Sequence, residues 1–139
     1  MIRAARATWV ALASANAFVL GAARALTPDP SGVGTHLQLG LPRCGFLAWT
    51  GLPCPACGLT TSFAHMAHGE IAQAASAHAL GVPLFAIALV SVPLCVWAGV
   101  RELPPFETFA RVHAAEGCKL IAVIGFVYWC ARLTWIVMH

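Results

Sequence analysis

Hydrophobic positions in this chain come in long blocks, and the charged residues collect at the block ends. Ala7 to Ala23 carries no charge and is enclosed by Arg6 and Arg24. Arginine flanks snorkel and lengthen a span by about a turn, so this block predicts a helix over about 7–26. Ala79 to Val100 is a second apolar run, about 33 Å long as a helix and enough to cross the hydrocarbon of a bilayer. Pro83 and Pro93 lie inside it; membrane helices tolerate proline, and a kink is expected there. Trp97 suits an interfacial anchor. A third block predicts a helix over about 119–138, broken only by Arg132 among Tyr128, Trp129 and Trp135. Between the last two blocks, residues 101–118 are charge-rich. Pro104 and Pro105 start a helix there that puts Phe106, Phe109, Ala110 and His113 on one face, the pattern of an amphipathic helix lying along a membrane.

Composition turns this pattern into a class. The chain has 139 residues, 60% hydrophobic and only 9% charged. A small domain has much surface for its volume, and so few charges cannot clothe it in water. The expectation is an all-α integral membrane protein: one membrane domain over 1–139, with about three transmembrane helices plus a cysteine-rich interfacial or re-entrant segment. A cleaved signal peptide is the rival for the first block, because Arg3 and Arg6 form a basic start and Ala22-Ala23-Arg24-Ala25 an imperfect cleavage pattern; a retained helix is expected. The net charge of +3 comes from scattered basic residues, not the cluster that nucleic-acid binding needs. With three crossings, Arg3, Arg6, Arg101, Arg111 and Lys119 share one side against Arg24 and Arg43 on the other. The positive-inside rule then puts the N-terminus and residues 101–118 in the cytoplasm, and residues 25–78 outward. Arg132 reads either as a buried partner for a carboxylate or anionic ligand, or as a side chain snorkelling to headgroups; the latter is expected.

Chemistry concentrates in the outward connection. Cys44 to Gly69 contains no Lys, Arg, Asp or Glu, which places it at the interface, part-way into the membrane or against a partner. Cys44, Cys54 and Cys57 are spaced C-x9-C-x2-C, the second pair within Pro53-Cys54-Pro55-Ala56-Cys57-Gly58. Pro53 and Pro55 fix two φ angles and remove two donors. Leu59 to His68 reads as a short helix stopped by Gly69, which would put Cys57 at a helix N-terminus, where a thiolate is stabilised. Three chemistries fit. The cysteines form a structural disulfide; or they bind zinc or another soft metal, with His65 or His68 completing four ligands; or Cys54 and Cys57 exchange thiols, with Cys44 resolving. A thioredoxin-like βαβ context is absent, and with Gly58 after Cys57 there is no CxxCH to support covalent c-type haem attachment. Cys95, Cys118 and Cys130 read as packing residues. His36, His78, His113 and His139 have no partner that sequence identifies.

The run CGFLAWTGLPCPACGLTTSF, Cys44 to Phe63, resembles the signature of the DUF2752 family of small bacterial membrane proteins. The resemblance extends through Gly69-Glu70 into the second span, over about residues 44–95. It implies a bacterial inner-membrane protein without supplying an activity. Thr61 stands where members often carry arginine, and His78-Ala79 where they often carry Asn-Pro.

Small size and scarce polar machinery point first to a membrane subunit or accessory protein working through contacts with partner membrane proteins and lipid; Ala11, Ala15, Gly21, Gly81 and Gly99 permit close helix packing. A membrane thiol–disulfide oxidoreductase and a metal-binding membrane module are the alternatives. No catalytic residue is identified.

Overall fold

The computed structural model describes residues 2–111 and 114–138; His113 and His139 lie outside them. The apolar blocks are helical: α1 (Ile2–Ala25), α5 (Gly81–Val100) and α7 (Ala114–Met138). Between α1 and α5 come a 3₁₀ helix (Thr35–Leu39) and three short helices, α2 (Gly45–Thr50), α3 (Leu59–Ala67) and α4 (Ile71–Ala77). A further short helix, α6 (Pro105–Arg111), precedes α7. The fold is all-α.

Helices α5 and α7 are, among the described residues, those long and apolar enough to cross a membrane, with mean hydropathies of 2.1 and 1.9. α7 buries none of its described residues, and Leu89, Val90, Leu94 and Val96 of α5 are exposed, surface that a bilayer covers and water would not. α7 begins at Ala114, earlier than position 119. α1 is also long enough to span, at 24 residues. Thr8, Ser14, Asn16 and Arg24 lower its hydropathy, although Thr8 and Asn16 each return a hydrogen bond to the backbone one turn earlier.

α1 packs against α5 around Trp9, Ala13, Cys95 and Ala98. Gly99 makes room for the indole: a Cβ there would lie 3.2 Å from that of Trp9. Gly81 does the same for α3, where an added Cβ would collide with the Ser62 hydroxyl and lie 2.5 Å from its Cβ. By contrast, Ala11, Ala15 and Gly21 face outward, so the small residues of α1 are not what brings it to α5. Cys95 packs in the core, whereas Cys118 is exposed on α7.

Helix ends follow local chemistry. Pro83 occupies the first turn of α5, where its missing donor costs nothing; Pro93 is the proline inside the helix. α5 ends in a Schellman-type turn, with Leu103 N–H donating to the Ala98 carbonyl at 3.1 Å. Glu102 holds the left-handed position at φ 55° that glycine usually takes. That turn presents the Leu103 carbonyl to Trp9 Nε1–H at 2.8 Å, and Trp9 also stacks on Phe109 with ring centres 5.3 Å apart. The start of α1 therefore sits with residues 101–111 at one end of the bundle. The cysteine segment lies at the other.

The Gly81 contact yields a prediction. Gly81→Ala overpacks the α3–α5 contact, with a cost of about 1–3 kcal/mol, whereas Gly21→Ala meets nothing within 4 Å and is neutral or better. Thermal unfolding of the full-length protein in detergent checks the pair; equal midpoints would contradict the close approach.

Candidate functional site

The cysteine segment is built by turns. Cys57 N–H donates to the Cys54 carbonyl and Leu59 N–H to that of Ala56, each at 3.0 Å. Gly58, at φ 94°, turns the chain into α3; a Cβ there would lie 2.5 Å from the Ala77 carbonyl and 3.0 Å from that of Gly32. The Pro53, Pro55 and Cys57 carbonyls are met from outside the segment. Trp129 Nε1–H donates to Pro53 at 2.9 Å, His78 Nε2–H to Pro55 at 2.9 Å, and Arg132 Nη1–H to Cys57 at 3.0 Å.

These clasps revise two readings. Arg132 does not snorkel away from the protein but turns to the cysteine turn. His78, without an identifiable partner in the sequence, is buried at 3% exposure. Its ring packs on Tyr128, 5.2 Å between centres, and its own carbonyl accepts from Ser62 Oγ at 3.1 Å. With Nε2 donating, its buried Nδ1 is left without a partner among the described residues. Thr61 is buried and accepts a hydrogen bond from Thr35 Oγ1 at 2.9 Å.

The turns bring the sulfurs of Cys44, Cys54 and Cys57 within 4.8 Å of one another. All six cysteines are free thiols in this structure. His65 and His68 stand outside the three-sulfur group, at the far end of α3. His65 Nδ1–H donates to Glu70 Oε2 at 2.6 Å. His68 Nδ1–H donates to the Ala64 carbonyl at 2.8 Å, and its Nε2 accepts from Arg24 Nη1 at 3.2 Å. The helix that separates them from Cys57 is nine residues long, too long for either imidazole to reach back.

The three thiols differ in acidity. Cys44 precedes the first turn of α2 without a capping hydrogen bond of full geometry. The nearby Leu47 amide, helped by the Cys54 side chain, still holds its thiol below the usual range. Cys57 is the reverse: burial, reinforced by Cys54, pushes it up to about 12. The helix-start stabilisation expected at Cys57 is therefore found instead at Cys44, at the start of a different helix. Position next to a helix does not help a sulfur that is taken out of water.

Beside the sulfurs lies a cavity of about 650 Å³, lined by the three cysteines together with His36, Arg43 and Asp29 and walled by aliphatic side chains such as Leu37 and Leu47. Asp29 accepts from the Ser31 amide at 2.8 Å and from its hydroxyl at 2.5 Å, which holds its carboxyl below the usual range. Residue spacing gave no signal for His36, because it reaches the cavity through the 3₁₀ helix and not through the cysteine segment.

Alkylation of metal-free full-length protein near neutral pH should modify Cys44 before Cys57, since little of the Cys57 thiol ionises there. Arg132→Met leaves the Cys57 carbonyl unpaired, a cost of about 1–3 kcal/mol, and should speed Cys57 modification several-fold. Peptide mass mapping over time reads both; an unchanged Cys57 rate would show that the Arg132 clasp does not hold the turn.

No curated protein and no solved structure matches the chain. The clasped segment and most of α5, residues 44–92, match the family model described as Protein of unknown function (DUF2752).

Proposed function

We propose that the protein is a metal-binding membrane module in which Cys44, Cys54 and Cys57 hold a soft cation, with zinc as the leading choice. The observation that supports it is the gathering of three sulfurs within 4.8 Å from two separate turns. Thiolates select soft metals, and zinc–sulfur bonds of about 2.3 Å are within reach of sulfurs so placed. The carbonyl clasps from α7 and His78 hold the turn that carries Cys54 and Cys57, the kind of outer support that orients metal ligands. When bound, the metal supplies a positive centre that keeps all three thiols ionised, Cys57 included. The chain's own residues fix the sulfurs, and the apolar wall limits water.

Thiol–disulfide exchange would use the same sulfurs; neither His65 nor His68 stands beside them, and His36 on the cavity wall is the imidazole nearest to hand for a proton. The setting we propose is a three-crossing protein, α1 joining α5 and α7, with the N-terminus and residues 101–111 on the cytoplasmic side and the cysteine segment facing outward. The outward face of α1, with Ala11 and Ala15 exposed, is where a partner membrane helix would pack.

Two measurements test this. Metal analysis of the full-length protein, purified without chelator, should give about one zinc per chain, and Cys54→Ser or Cys57→Ser should remove most of it. Wild-type protein that remains metal-free after zinc supplementation would overturn the reading. For topology, a C-terminal alkaline phosphatase fusion should be active, because three crossings end outside; an inactive fusion would mean that α1 does not cross.

A further inference from the structure

The cavity beside the sulfurs is far larger than an ion requires, at about 650 Å³, and the 3₁₀ helix Thr35–Leu39 forms part of its wall. Three thiolates leave a zinc-like cation one ligand short of its usual four. His36 lines this cavity with the sulfurs, outside the three-sulfur group itself, and its imidazole has no partner among the described residues; ligation would need the 3₁₀ helix to move toward the sulfurs. Its neighbours are committed. Thr35 Oγ1 accepts from Asp29 N–H at 2.9 Å and donates to Thr61, and the Gln38 amide exchanges hydrogen bonds with the Thr27 backbone. The segment carrying His36 is thus anchored on both sides of it. It is bounded by Gly34 at φ 126° and Gly40 at φ 73°, conformations that let the chain reverse sharply at each end.

We propose that His36 is the fourth ligand, completing a three-cysteine, one-histidine site with Cys44, Cys54 and Cys57. This rests on the metal reading above and replaces His65 and His68 in it. Charge supports the set. Three thiolates and a divalent cation leave one net negative charge, a neutral imidazole adds none where a fourth thiolate would add another, and Arg43 and the Asp29 carboxylate on the same wall offset each other. Ser31 holds Oδ1 of the Asp29 carboxylate, and Asp29 stands on the same cavity wall. Loading the metal releases one proton from each thiol to solvent and transfers no electron. Ligation by His36 would tie the 3₁₀ helix to the cysteine turns and close the cavity over the ion.

Cobalt(II) alone is the probe, titrated into full-length protein in detergent. Wild type should show the intense visible bands of a tetrahedral site with three sulfurs and one nitrogen. His36→Ala should weaken cobalt binding at least about tenfold and lose the tetrahedral intensity. His36→Cys should restore tight binding with bands shifted toward a four-sulfur site, which a merely structural role for His36 would not produce; circular dichroism confirms that each variant is folded. If His36→Ala binds cobalt with an unchanged spectrum and affinity while Cys54→Ser abolishes binding, His36 is not a ligand and the metal reading survives. If Cys54→Ser also binds unchanged, both fail.

Discussion

The carbonyls of Pro53, Pro55 and Cys57 have no donor within their own turn, and the arrangement of the site depends on how they are satisfied. Prolines at 53 and 55 remove two N–H groups, while the turn's remaining donors go to Cys54 and Ala56. The alternate carbonyls must find partners elsewhere, because a buried unpaired carbonyl costs about 1–3 kcal/mol. Trp129 and Arg132 of α7 and His78 before α5 supply them. A segment with little secondary structure of its own is thereby held in one conformation by side chains up to 76 residues away.

The same clasps explain how a long apolar helix with no buried residues stays docked. α7 presents a hydrophobic surface that lipid covers as well as protein does, so apolar area gives little drive for its association. Polar contacts take that role: Tyr128 accepts from the Ala79 amide at 3.3 Å, and Phe46 of α2 packs edge-on to Trp129, 6.1 Å between ring centres. Away from water these contacts lack a good competitor. The contacts that dock α7 are the same ones that hold the cysteine turn.

Close backbone approach is the second requirement. Gly58 passes between the Ala77 and Gly32 carbonyls, and Gly81 lies against Ser62. Ser62 and Thr61 are buried but hydrogen-bonded to His78 and Thr35, so α3 brings hydroxyls into the interior without leaving them unsatisfied. Asp29 is turned into its own loop by Ser31. What lines the cavity beside the sulfurs is a largely aliphatic wall carrying one imidazole, one guanidinium and the Asp29 carboxylate.

Much of this was legible from the chain. Block length and the lack of charge between Cys44 and Gly69 determined helical spans and an unusual loop, because membrane hydration costs act on local composition. The C-x9-C-x2-C spacing and its prolines marked the site, because they restrict the backbone locally. The sequence did not reveal which residues meet there. Arg132 read as a snorkelling side chain and His78 as unpartnered, since a hydrogen bond across some 75 residues leaves no periodicity to read. His65 and His68 were linked to the cysteines by nearness along the chain, yet a helix carries them to its opposite end. The relative acidity of Cys44 and Cys57 also depends on burial, which local sequence does not encode. Composition and spacing determined the membrane class and the three sulfurs; only the tertiary structure decided their neighbours, because those contacts arise when α7 and the 3₁₀ helix dock on the cysteine turn.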